Sequence, residues 1–187
     1  VRRPIAGILH IIVYVGFVII NIEVLEIIID GLFGTHRIFA KIGSIYGILI
    51  ASFEILAVLV LVAVLIFWSR RNLLKLNRFW KKEMTGWPKN DANYILYFEI
   101  VLMSLFLLMN ATDTSFQAMN TGNVISQFIA PWFENMSESS IHFIERSAWW
   151  LHIIGILIFL NYLYFSKHLH ILLAFPNTYY GSVNPKG

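Results

Sequence analysis

GSIYGILIASFEILAVLVLVAVLIFW, residues 43–68, carries one charge, Glu54, in an otherwise apolar run. A helix needs about 20 mostly apolar residues to cross the hydrocarbon layer, and this run exceeds that length with no proline to break it. A helix that meets water keeps one polar face, and none is present here. The segment therefore reads as a membrane span. Composition agrees: of 187 residues, 58% are hydrophobic and only 13% charged, against roughly 25% charged in soluble domains. Mean hydropathy is +0.68.

Working outward, three more spans are expected. The first covers about residues 5–33, with Glu23, Glu26 and Asp30 in its second half. The third covers about 93–112 and contains Glu99. The fourth covers about 149–173: an apolar run from Trp149 to Phe165 that continues as helix through His170 to Leu173, with Pro176 to end it. The predicted fold is an all-α membrane bundle of four antiparallel transmembrane helices, forming one transmembrane domain over residues 1–187. The first segment has no small-residue cleavage site and reads as a retained helix, not a signal peptide. Residues 34–42 are a short loop, 69–92 a basic one, and 113–146 a longer, mildly acidic one. Within the last, VISQFIAPWFENM (124–136) reads as an interfacial amphipathic segment interrupted by Pro131.

Basic residues set the orientation. Arg2, Arg3, Arg70, Arg71, Lys75, Arg78, Lys81, Lys82, Lys89, Lys167 and Lys186 share one side, and Arg37, Lys41 and Arg146 the other, a split of 11 to 3. Both termini are therefore expected in the cytoplasm, with the chain multi-pass in the inner (plasma) membrane. The net charge of +3 is this bias and points to no nucleic acid. Trp68, Trp149 and Trp150 stand at span ends as interfacial anchors. There is no cysteine, which excludes a disulfide, a thiolate zinc site and an iron–sulfur cluster within this chain.

Ionisable groups inside spans are costly and mark function. His10 lies one to two turns into the first helix, His152 near the outer end of the fourth and His170 near its inner end. Their 18-residue separation is five turns, so on one continuous helix His152 and His170 leave the same face about 27 Å apart. His168 then points elsewhere, toward the headgroups. A b-type haem in a bundle takes one neutral imidazole from each of two helices. With the first and fourth helices adjacent, His10 and His170 form such a pair near the cytoplasm. A second haem would use His152, with His36 or His142 as partner. A membrane histidine also serves as a plain interhelical hydrogen-bonding residue.

Glu23, with Glu26 and Asp30, reads as a proton path or a quinone headgroup site. Glu54, deep in its apolar span, is expected neutral or paired and is a second candidate for that path. Glu99 sits about two turns into its span, and Asn110 and Asp113 close the third helix. No proline interrupts the spans, unlike the broken helices of transporters. No phosphate loop, nucleophile triad or HExxH motif occurs.

WWLHIIGILIFLNYLYFSKHLHILLAFPNTYY (149–180) and PIAGILHIIVYVGFVIINIEVLEIIIDGLFG (4–34) resemble the last and first membrane helices of a family of membrane-bound iron–sulfur oxidoreductases. These are related to heterodisulfide reductase, and their membrane part is similar to the gamma subunit of respiratory nitrate reductase. The resemblance implies b haem held by histidines on two helices. His152 and His170 match that pattern, whereas the first helix offers His10 and no second histidine. It also implies a soluble iron–sulfur domain after residue 187, or an equivalent subunit. The implied function is the membrane part of a quinone-linked oxidoreductase, passing electrons between quinone and a cytoplasmic iron–sulfur domain through one or two b haems. The alternative is a haem-free membrane anchor or assembly subunit for a soluble redox domain.

Overall fold

The computed structural model describes residues 4–74 and 86–181. Among them no strand occurs, and four helices are long and apolar enough to cross a bilayer. They are α1 (Pro4–Phe33), α2 (Ser44–Asn72), α3 (Trp87–Thr112) and α6 (Glu138–Leu163). Shorter helices α4 (Thr114–Met119), α5 (Ser126–Ile129) and α7 (His170–Tyr179) complete the structure. Along the spans, large apolar side chains such as Ile11, Ile48, Val62, Val101 and Ile158 are exposed. Apolar surface on this scale is incompatible with water and is what lipid requires. The protein is a multi-pass membrane protein.

The helices form an open arc. α1 packs on α2, α2 on α3 and α3 on α6, while α1 and α6 scarcely touch. Phe53 and Ile50 of α2, Phe106 of α3 and Phe116 of α4 are fully buried and form the centre of the core. A seam is left between the first and last spans. Both ends of the described chain emerge at the same end of the bundle, called here the terminal end; the other is the loop end. At α1–α2 the approach is close enough that a Cβ on Gly16 would sit on Val60 Cγ2. Val60 is β-branched and stiff. Gly16→Val should therefore cost about 1–3 kcal/mol, read as a lower unfolding midpoint in detergent, with Gly16→Ala costing less.

Several boundaries differ from those expected. α3 begins at Trp87, because Pro88 in the first turn starts a helix well. α6 begins at Glu138, where Ser137 accepts the Ser140 N–H as an N-cap. Trp149 and Trp150 thus lie three turns inside α6, not at its end. Twenty-six residues span about 39 Å, so the polar first turns extend beyond the apolar layer. The expected loop 113–146 holds α4, α5 and a 3-10 turn over Ala130–Phe133 that includes Pro131.

The fourth span is not continuous to Leu173. It stops at Leu163, Ser166 is extended (φ −96°, ψ 154°), and a 3-10 turn over Lys167–Leu169 leads into α7. Asp91 of α3, fully buried, causes the break: it accepts the Tyr162 hydroxyl at 2.6 Å and the Lys167 N–H at 3.1 Å. Ser166 Oγ accepts the His168 N–H at 3.0 Å. α7 runs through Pro176 to Tyr179; so close to the helix end, the missing N–H costs one bond. Arg2, Arg3, Lys75, Arg78, Lys81, Lys82 and Lys186 lie outside the described residues.

Candidate functional site

Two cavities lie along the α1–α6 seam, one at the loop end and one midway, and a third lies among α1, α2 and α3 at the terminal end.

At the terminal end, the break after Leu163 folds α7 back toward α1. The His10 and His170 rings lie 6.0 Å apart between centroids and 15° from parallel. His170 Nδ1 is 2.7 Å from the Lys167 carbonyl. A carbonyl only accepts, so Nδ1 carries the proton and Nε2 is left with its lone pair. The His168 ring is 5.7 Å from that of His170, and its Nε2 is buried without a hydrogen-bond partner among the described residues. Burial, then the neighbouring His170 and His10, lower the His168 pKa to about 4, so this imidazole is neutral near pH 7. His168 does not reach out to the headgroups. A cavity of about 220 Å³ beside it is lined by His10, Phe67, Arg71, Glu99 and His168.

Two imidazoles sharing one metal have centroids on the order of 6 Å apart, given metal–nitrogen distances of about 2 Å. The His10–His170 centroid spacing is of that size. Both residues are exposed, so the space beside them opens out of the bundle, as a plate-shaped macrocycle needs.

Midway along the seam, His152 is 1% exposed. Its Nδ1 lies 3.0 Å from the Leu102 carbonyl, and Nε2 is buried without a hydrogen-bond partner among the described residues. The chain break removes the same-face relation to His170 expected from an 18-residue spacing. No second histidine lines the recess beside His152. His36 is 3.2 Å from Asp113 and His142 is 3.8 Å from Glu145, both at the loop end. The residues present do not fit a second haem held by two histidines.

At the loop end, a cavity of about 290 Å³ is lined by Glu23, Glu26, Asp30, Arg37, Asp113, Glu145, Arg146, Trp149 and Trp150, among others. Glu23 is 2% exposed and its Oε2 has no hydrogen-bond partner among the described residues. The other carboxylates are taken. Asp30 accepts from Arg37 N–H at 2.6 Å and Ile38 N–H at 3.2 Å, shaping the turn after α1. Glu26 accepts from Phe39 N–H and the Tyr46 hydroxyl. Arg37, in the left-handed region at φ 50°, donates to Asp113 at 2.8 Å, Asn110 at 2.9 Å and Tyr46 at 3.2 Å, and lies 4.0 Å over the Phe116 ring. Glu54 is not open to a cavity: it accepts from Asn110 Nδ2, Ile125 N–H and Ser126 N–H at 3.1, 2.7 and 3.1 Å.

Burial alone would raise the Asp113 carboxyl, but the His36 hydrogen bond and the Arg37 charge hold it far below the usual carboxylate range. Its bond to Asp113 raises His36 above 6.5. A histidine raised on folding stabilises the fold fully below its unfolded value and loses that contribution as pH rises through the folded value. Unfolding midpoints should therefore fall as pH rises from 6.5 upward, and His36→Gln should flatten that slope in thermal scans.

Neither the Arg37–Asn110–Asp113 network nor the separate Asp91 contacts at the other end of the bundle are legible in the sequence. Each of these residues reads in sequence as a loop charge or helix terminus, and their partners lie far along the chain.

Over 184 residues, 97% of this chain, the sequence is 26% identical to the probable iron-sulfur-binding oxidoreductase FadF of Bacillus subtilis (strain 168). The chain spans 25% of that relative's length. No family model and no solved structure matches the chain.

Proposed function

We propose that this chain is a membrane electron-transfer unit, passing electrons between a quinone in the bilayer and an iron–sulfur centre at the terminal end. The observation that carries this reading is the His10–His170 pair, two near-parallel imidazoles 6.0 Å apart contributed by the two ends of the chain. His170 is held in the tautomer a metal needs by the Lys167 carbonyl. A b haem held there supplies one-electron chemistry at a potential set by its two imidazoles and its surroundings. The similarity to a protein described as an iron–sulfur-binding oxidoreductase supports redox work, and a following domain or a separate subunit would supply the cluster that a cysteine-free chain cannot hold.

The chain's own residues divide the remaining tasks. The bias of basic residues favours the terminal end on the cytoplasmic side of a plasma membrane, where Arg70 would meet anionic lipid or an acidic partner, while Arg71 is buried and donates to the Lys89 carbonyl. Glu23, buried in the loop-end cavity with Oε2 unpartnered among the described residues, is the group to hand protons to the outer side. Glu54 is left a structural role.

A dithionite-reduced minus oxidised absorbance spectrum of the detergent-purified protein, with a pyridine haemochrome assay, tests the reading. A b-type α band with one haem per chain is expected, and His10→Leu and His170→Leu should each abolish it. Absence of the band in protein expressed with ample haem would overturn the reading and leave a membrane anchor.

A further inference from the structure

Among the carboxylates that line the loop-end cavity, Glu23 is set apart by what it lacks. Glu26 accepts from the Phe39 N–H and the Tyr46 hydroxyl. Asp30 accepts from the Thr35 hydroxyl and from the amides of the turn after α1. Asp113 accepts from Arg37 and the Phe116 N–H, and Glu145 is paired with Arg146. Glu23 is 2% exposed, and its Oε2 has no hydrogen-bond partner among the described residues. It lies ten residues before Phe33, about 15 Å into the bundle from the loop end of α1. A carboxyl this deep without a donor is costly, and a leucine or methionine would have packed there without that cost.

The cavity shows what would satisfy it. Five carboxylates, those of Glu23, Glu26, Asp30, Asp113 and Glu145, line it against the guanidiniums of Arg37 and Arg146 and the ring of His36. The carboxylates outnumber the cations even with His36 protonated, so the site draws positive charge. A bare metal ion does not fit: among the described residues no three His, Asp or Glu side chains stand close enough together to hold one. The volume of about 290 Å³ is instead near the lower end for small organic ligands, about 300 Å³. Ile27, Met109, Trp149 and Trp150 give the cavity an apolar side, where an alkyl chain packs and an indole face attracts a cation. A further cavity of about 350 Å³ shares His36, Asp113 and Arg146 with it and continues past Ser115, Glu138 and His142, all three exposed. The way in is therefore from water at the loop end, not through the bilayer.

We infer that this cavity binds a small primary ammonium compound from the aqueous phase at the loop end, its N–H groups donating to the Glu23 carboxylate and its alkyl part lying against Trp149. A quaternary ammonium brings the charge but no donor for Glu23. The inference needs neither haem nor quinone. A bound ammonium and the proton hand-off assigned to Glu23 compete for one carboxylate, so an occupied site blocks the hand-off.

Calorimetric titration of the full chain in detergent tests this, with n-butylammonium, tetramethylammonium and 1-butanol as probes in potassium chloride at constant ionic strength. Butylammonium should bind saturably at one per chain. It should bind more tightly than tetramethylammonium, which has no N–H, and than 1-butanol, which has no charge. Glu23→Gln should weaken butylammonium by at least about tenfold, the loss of one charge-assisted hydrogen bond. Arg146→Gln should do the opposite and tighten it about threefold, since a guanidinium lining the cavity no longer repels the cation. Arg146 is 41% exposed, so this variant decides the matter if Glu23→Gln does not fold. No saturable binding, equal affinity for butylammonium and either comparison probe, full affinity in Glu23→Gln, or no tightening in Arg146→Gln would each overturn the inference. Butylammonium binding in a protein with no b-type band would uphold this site and sink the electron-transfer reading. A b-type band in a protein that binds no ammonium would do the reverse.

Discussion

Arg37→Met should lower stability by about 3–5 kcal/mol, the cost of leaving a buried charge without its partner. The guanidinium is 7% exposed and joins α1's exit turn to α2 and α3, through Tyr46, Asn110 and Asp113. Methionine fills a similar volume and carries the same left-handed backbone strain, so the change reads the loss of the polar contacts. It leaves Asp113 with His36 and the Phe116 N–H only, and Asn110 Oδ1 with no donor. Lysine does not rescue, since one ammonium cannot reach three acceptors set around a planar fork. Arg37→Met combined with Asp113→Asn should cost less than the sum of the two, because the second change removes the stranded charge. Thermal and denaturant unfolding in detergent measure both. A single-variant loss under about 1 kcal/mol would place this network among weak surface pairs.

Glu54→Leu should cost at least about 3 kcal/mol, since each buried donor left unpaired costs about 1–3 kcal/mol. Three donors lose their acceptor: Asn110 Nδ2, Ile125 N–H and Ser126 N–H. The last two belong to the start of α5, so the effect is also local. The turn before α5 brings Gly122, at φ +87°, against the Gly47 carbonyl, where a built Cβ would come within 2.9 Å. Releasing α5 should free this turn, and amide exchange over residues 120–130 should rise well above that of α2. Glu54→Gln should fall between wild type and Leu. Its carbonyl can serve the two backbone donors, but its amide meets that of Asn110, whose own oxygen is held by Arg37. Unchanged exchange over 120–130 in Glu54→Leu would show that the carboxylate does not hold this segment. Because Asn110 bridges the two residues, Arg37 and Glu54 variants should combine less than additively.

The sequence by itself determined the class of the protein and the number of its spans. The bilayer asks for about 20 consecutive apolar residues, a local property that Ile45–Trp68 satisfies whatever it packs against. Tertiary structure alone decided how the histidines meet. The run from Trp149 to Leu173 is uniformly apolar and reads as one helix. It breaks because Asp91, 71 residues before Tyr162 and 76 before Lys167, captures both. That break carries His170 to His10 and leaves His152 alone with a carbonyl. Likewise Arg37 gains its partners 73 and 76 residues away. Hydrophobic length adds up over neighbouring residues and is legible in order. Where a buried polar group finds its partner depends on which distant residue the packing brings within about 3 Å, and linear order does not contain that.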